Sequence, residues 1–82
     1  MKIKECEIHG IERIEGTKKS GESFAFWKLH CLVPSSGDKI EGMKAANVIV
    51  SDEEYEEEQV TLGGLCTLVT TGFDRYAFVM ME

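Results

Sequence analysis

An all-β domain with a single short helix is the fold class that this 82-residue sequence predicts. Three observations lead there. Segments rich in β-branched and aromatic residues alternate with glycine-containing turns, the pattern of short strands joined by hairpins. The clearest helical start signal is Ser51 followed three residues later by Glu54, the spacing of a capping box. An apolar content of 43% with one proline describes a compact chain, and no apolar run approaches the length that crosses a bilayer.

Ile3 to Ile14 is rich in isoleucine and charge, and its apolar phase slips at Gly10. A glycine inside a strand pattern marks a bulge or bend, so one long bent strand is expected. "GTKKSGE" (Gly16–Glu22) follows as a turn with two lysines at its tip. Phe24 to Val33 is the second strand, stopped by Pro34-Ser35-Ser36-Gly37. Ala46 to Val50, short and β-branched, is the third. Ser51 then opens "SDEEYEEEQ", where acids in the first turn suit the helix dipole and Tyr55 is the one anchor. One or two helical turns are expected. Gly63-Gly64 resets the chain, and Leu65–Thr70 and Tyr76–Met81 are two further strands joined by the tight turn "TGFD".

Five strands with a helix between the third and fourth follow the element order of the OB-fold, a small, partly open Greek-key barrel. A bent first strand suits it, because such a barrel needs a corner where one strand serves both halves. An SH3-like barrel, or a five-stranded sheet packed on one helix, has a compatible order.

In "SGESFAFWKLHC", Phe24, Phe26, Lys28 and His30 occupy alternate positions and would share one face of strand 2, opposite the apolar Ala25, Trp27, Leu29 and Cys31. OB-folds bind ligands across strands 2 and 3, between the loop joining strands 1 and 2 and the loop joining strands 4 and 5. On that scheme the first loop contributes Lys18 and Lys19, and the second contributes Phe73 and Arg75 with Tyr76 beside them. Unpaired bases stack on aromatic faces, and phosphates between them need cations, so single-stranded DNA is the matching ligand. The expectation is that the rings of Phe24 and Phe26 stand open to water among positive side chains. The competing account is structural: the same rings would be core or interface residues of a homo-oligomeric protein-interaction module.

The net charge is −6, unevenly spread: residues 1–40 carry +1 and residues 41–82 carry −7. Six of the acids lie in Asp52–Glu58, which is a solvated helix face, a docking patch for a basic protein, or a repulsive edge. Cys6, Cys31 and Cys66 are odd in number and widely spaced, as expected of reduced core thiols. Cys6 and His9, three apart on a strand, point to opposite faces and cannot chelate one ion. No phosphate-binding glycine loop, metal triad or nucleophile with a placed base is present in the sequence, so neither enzyme nor cofactor is expected. "MKIKECEIHG" does not read as a signal peptide, and a cytoplasmic location follows as the default.

The hairpin residues Gly16, Thr17, Lys18, Lys19, Gly21, Phe24 and Phe26, and the late turn Gly72, Phe73, Arg75 and Tyr76, carry a resemblance. Together they are similar to the small OB-fold single-stranded DNA-binding proteins of filamentous phages and mobile elements, over about two thirds of the chain. That resemblance implies a homodimer that coats single strands cooperatively without reading sequence. The acidity of Ser51–Gln59 is where the chain departs from the pattern.

Overall fold

The computed structural model describes residues 1–34 and 42–82. The elements are β1 (Lys2–Thr17), β2 (Ser23–Pro34), β3 (Met43–Val50), α1 (Asp52–Glu57), β4 (Leu65–Gly72) and β5 (Arg75–Met81). They match the order expected from the sequence, with each strand longer than its apolar pattern alone marks. Ser35-Ser36-Gly37, expected to complete the stop after β2, lie outside the described residues.

All pairings are antiparallel, in the spatial order β3-β2-β1-β4-β5. β1 serves both halves of the sheet: Glu7 to Thr17 pair with β2, and Lys2 to Glu7 pair with β4. The sheet is not closed. Its edge strands β3 and β5 run in the same direction and lie against one another without forming a ladder. The architecture is thus an open, OB-like curl of five strands with one helix between β3 and β4.

The phase slip at Gly10 has a structural cause. Ile8 pairs with Cys31 and Gly10 with His30, so His9 is the extra residue of a bulge. Before the bulge Cys6 and Ile8 point inward; after it Ile11 does. One inserted residue therefore keeps apolar side chains on the inside while the strand bends. A second irregularity lies between Ile3 and Cys6, where Glu5 takes a φ of 61° and its N–H donates to Glu82 Oε2 at 2.7 Å.

The core is made of medium-sized side chains: Cys6, Ile8, Leu29, Cys31, Val33, Val48, Val50, Val60, Cys66 and Leu68 are all buried. α1 covers one end of it. Ser51 Oγ accepts the N–H of Glu54 at 3.2 Å, as the capping spacing requires. Tyr55 stacks on Trp27, with ring centroids 4.0 Å apart and planes 7° from parallel. The Arg13 guanidinium lies over the same indole, 4.9 Å from its centroid, and makes two hydrogen bonds to the Asp52 carboxylate. A six-residue helix too short to persist alone is thereby held by an aromatic pair and an ion pair.

Candidate nucleic-acid interface

The twist-bearing hairpin of β1 and β2 positions the candidate site. Because side chains alternate along β2, the buried Leu29, Cys31 and Val33 place Phe24, Phe26, Lys28 and His30 together on the outer face. The rings of Phe24 and Phe26 are near parallel, 18° apart in plane with centroids 6.1 Å apart. Across the ladder, Phe24 pairs with Gly16 and Phe26 with Ile14. A Cβ at Gly16 would come within 2.5 Å of Phe24 Cζ, so the ring lies over bare glycine backbone. The two rings are consequently partly buried rather than fully open to water, which corrects the sequence-based expectation in degree. Both rings are half-buried on this outer face.

The surroundings of the rings are mixed in charge. Lys28 pairs across the ladders with Glu12 on one side and Ile49 on the other, and Ile49 is 62% exposed. His30 Nε2 lies 3.1 Å from Glu12 Oε1, so this histidine is engaged by a carboxylate on the same face. At the hairpin tip Lys18 N–H donates to the Glu22 carbonyl at 2.8 Å, and Gly21 supplies a φ of +91° that an L side chain resists. Lys18 Nζ sits 3.8 Å from the Glu22 carboxylate, both exposed, an ion pair that competing phosphate can displace at little cost. Lys19 and Lys28 make no ion pair among the described residues.

The β4–β5 turn stands apart from this group. Phe73, at its tip, is 94% exposed. Asp74 adopts a φ of 54°, a left-handed conformation that aspartate tolerates, and its carboxylate pairs with Lys44 at the start of β3. Lys44 is the ladder partner of Val33, seven residues beyond Phe26, which at roughly 3.3 Å per residue is about 23 Å along β2. Arg75 is exposed beside this turn, whereas Tyr76 is packed against the core. The structure therefore brings Phe24, Phe26, Lys28 and His30 together, with Lys18 and Lys19 at one end, and sets Phe73, Arg75 and Tyr76 at the other.

The acidic helix lies on the other side. Trp27 and Phe26 are consecutive on β2 and point to opposite faces, and α1 is stacked on the Trp27 face. Two of the six acids are occupied internally. Arg13 takes Asp52 and holds its carboxyl below the usual carboxylate range, and Glu58 Oε1 accepts the N–H of Met81 at 3.3 Å. Glu53, Glu54, Glu56 and Glu57 remain exposed. Sequence reasoning missed Arg13 here; the signal was its place opposite Trp27 in the unbroken register that runs back from the Thr17–Ser23 end of the hairpin.

The three cysteines sit in the core as thiols. Burial, reinforced by neighbouring Cys66, pushes the Cys6 thiol up from 9.0 to about 11. A hydrogen bond with Cys31, then burial, pushes Cys66 up as well. Thiols held neutral in this way are poor nucleophiles at neutral pH. Among the described residues no group of three His, Cys, Asp or Glu side chains is placed to hold a metal ion, and no helix is long and apolar enough to cross a membrane. Compared with family models, with curated proteins and with solved structures, the chain finds no match.

Proposed function

We propose that this protein is a non-catalytic binder of single-stranded DNA that works through the outer face of its β1–β2 hairpin. The observation supporting this reading is the near-parallel Phe24–Phe26 pair, flanked by Lys28 and turned away from the acidic helix. Bases stack on the outward ring surfaces, each worth about 1–3 kcal/mol. Lys18, Lys19 and Lys28 meet the phosphates on the hairpin side, and Arg75 meets the strand where it reaches the β4–β5 turn. Such a binder tolerates any sequence, because every base has a flat face.

Fluorescence anisotropy of labelled oligo(dT), titrated with protein over a salt series, tests the proposal. With four phosphates engaged, log K falls against log salt with a slope of about −3. Absence of binding at low salt, or a slope near zero, refutes it. A second reading has its own support: Ile49, 62% exposed and opposite Lys28, adds apolar surface on β3 beside the ring pair. That continuity suits a self-associating module or homodimer built on the same face. Sedimentation with and without oligo(dT) separates the two, since a face used for self-association gives a dimer that DNA dissociates.

A further inference from the structure

A second site lies at the end of the sheet away from α1. The beginnings of β1, β3 and β5 and the ends of β2 and β4 surround a cavity of about 480 Å³ there. That size falls in the range of about 300–1,000 Å³ typical of small-molecule sites. Lys2, Lys4 and Lys44 line it together with the hydroxyl-bearing Thr70 and Tyr76 and the apolar Val33. No carboxylate lines it among the described residues. Lys44 is engaged by Asp74, while Lys2 and Lys4 make no ion pair among the described residues.

The wall is built rather than accidental. Thr70 N–H donates to the Met1 carbonyl at 3.0 Å, and Lys2 pairs with Val69, so the start of β1 is strapped against the end of β4. Tyr76 pairs with Thr70 across the β4–β5 ladder and packs on the core, which fixes its ring at the cavity wall. Two lysines two residues apart on one strand, an aromatic residue and an apolar one share this lining, which suits a ligand that is anionic at one end and flat and apolar at the other. Among the described residues the lining holds three lysines and no carboxylate of its own, Asp74 reaching it only through Lys44, and this favours a multiply charged anion over a neutral or cationic ligand.

We propose that this cavity binds a nucleoside monophosphate, its phosphate on Lys2 and Lys4 and its base against Tyr76 over Val33. The site is separate from the Phe24–Phe26 face and does not depend on the stacking proposal. Titration of the isotope-labelled full chain with thymidine 5′-monophosphate, followed by amide chemical shifts, tests it, with thymidine and inorganic phosphate as separate arms. The nucleotide is expected to move the amides of Val33, Thr70 and Tyr76 and to saturate at least tenfold below either fragment. The double variant Lys2→Gln/Lys4→Gln, with its dispersed spectrum retained, is expected to weaken this at least tenfold. Phosphate alone matching the nucleotide reduces the cavity to a simple anion site and overturns the proposal. Thymidine alone matching it, shifts confined to the Phe24–Phe26 face, or no response at all, overturns it equally.

Discussion

Replacing Phe26 with leucine separates stacking from stability. The ring is partly buried, opposite Ile14 in the β1–β2 ladder and 6.1 Å from Phe24. Leucine keeps most of the apolar contact with Ile14 but has no flat face. For a hydrophobic swap of this kind the stability cost stays below about 1.5 kcal/mol. If a base stacks on the ring, its loss removes about 1–3 kcal/mol of binding, or roughly 5- to 150-fold in Kd at about 1.4 kcal/mol per tenfold. Anisotropy with oligo(dT) reads the affinity, and urea unfolding of the same sample reads the stability. Gly16→Ala is the companion, because a Cβ there drives into the Phe24 ring and tilts it without touching the lysines. Weakened binding in both variants, with the unfolding midpoint little moved, is the expected result. Unchanged affinity in a folded Phe26→Leu protein refutes the stacking role. A stability loss well above about 1.5 kcal/mol in the leucine variant reassigns the ring to the interior.

Arg75→Gln is expected to flatten the salt slope by about 0.7 on long oligonucleotides and to leave it unchanged on ones too short to reach from the hairpin to the β4–β5 turn. Tyr55→Ala removes the partner of Trp27; a loss of about 1–2 kcal/mol and a red-shifted indole emission are expected, with oligo(dT) affinity retained because α1 serves the other face. The Arg13–Asp52 pair depresses the Asp52 carboxyl below its ordinary 3.8, so its stabilisation is present above about that pH and is lost as acid protonates the folded carboxylate. A shift in Trp27 emission on acidification below that value checks it. Cys6 has the opposite sign: its thiol is raised from 9.0 to about 11, so the folded state keeps a proton that the unfolded chain releases, and stability falls as pH rises between those values. Urea midpoints from pH 8 to 11, with Cys6→Ala as the comparison, read this loss.

Local rules carried much of the fold. The capping pair Ser51 and Glu54, the anchor Tyr55, the bend near Gly10 and the alternation of β2 each depend on neighbours within a few residues, and each is legible in one dimension. What depends on register between distant strands was not. Gly16 looks like a turn residue in the sequence, yet it is the floor under Phe24 because residues 16 and 24 face each other across the hairpin. Arg13 looks like one more surface cation, yet it locks Asp52 and covers Trp27. Tyr76 follows Arg75 directly, and only the β4–β5 pairing turns it toward the core and the cavity instead of toward the hairpin face. The cavity itself gathers residues from all five strands, and no spacing in the chain announces it.

The charge of the chain raises the sharpest physical objection to a polyanionic ligand, and the alternation at Phe26 and Trp27 answers it. A net −6 averaged over a small sphere would repel DNA. The charge is not averaged. The exposed glutamates belong to α1, whose Tyr55 stacks on Trp27, on the face of β2 opposite the rings. The exposed glutamates act on a strand at the ring face mainly through solvent, where the Debye length at physiological salt is about 8 Å, so their repulsion is weakened by salt. The carboxylate that matters is instead Glu12, on the ring face beside Lys28 and against His30. On the proposed function, Glu12→Gln is expected to tighten oligo(dT) binding about threefold at low salt, and neutralising Glu56 and Glu57 to change it far less. A ranking in the reverse order places the DNA on the helix side and removes the hairpin from the mechanism.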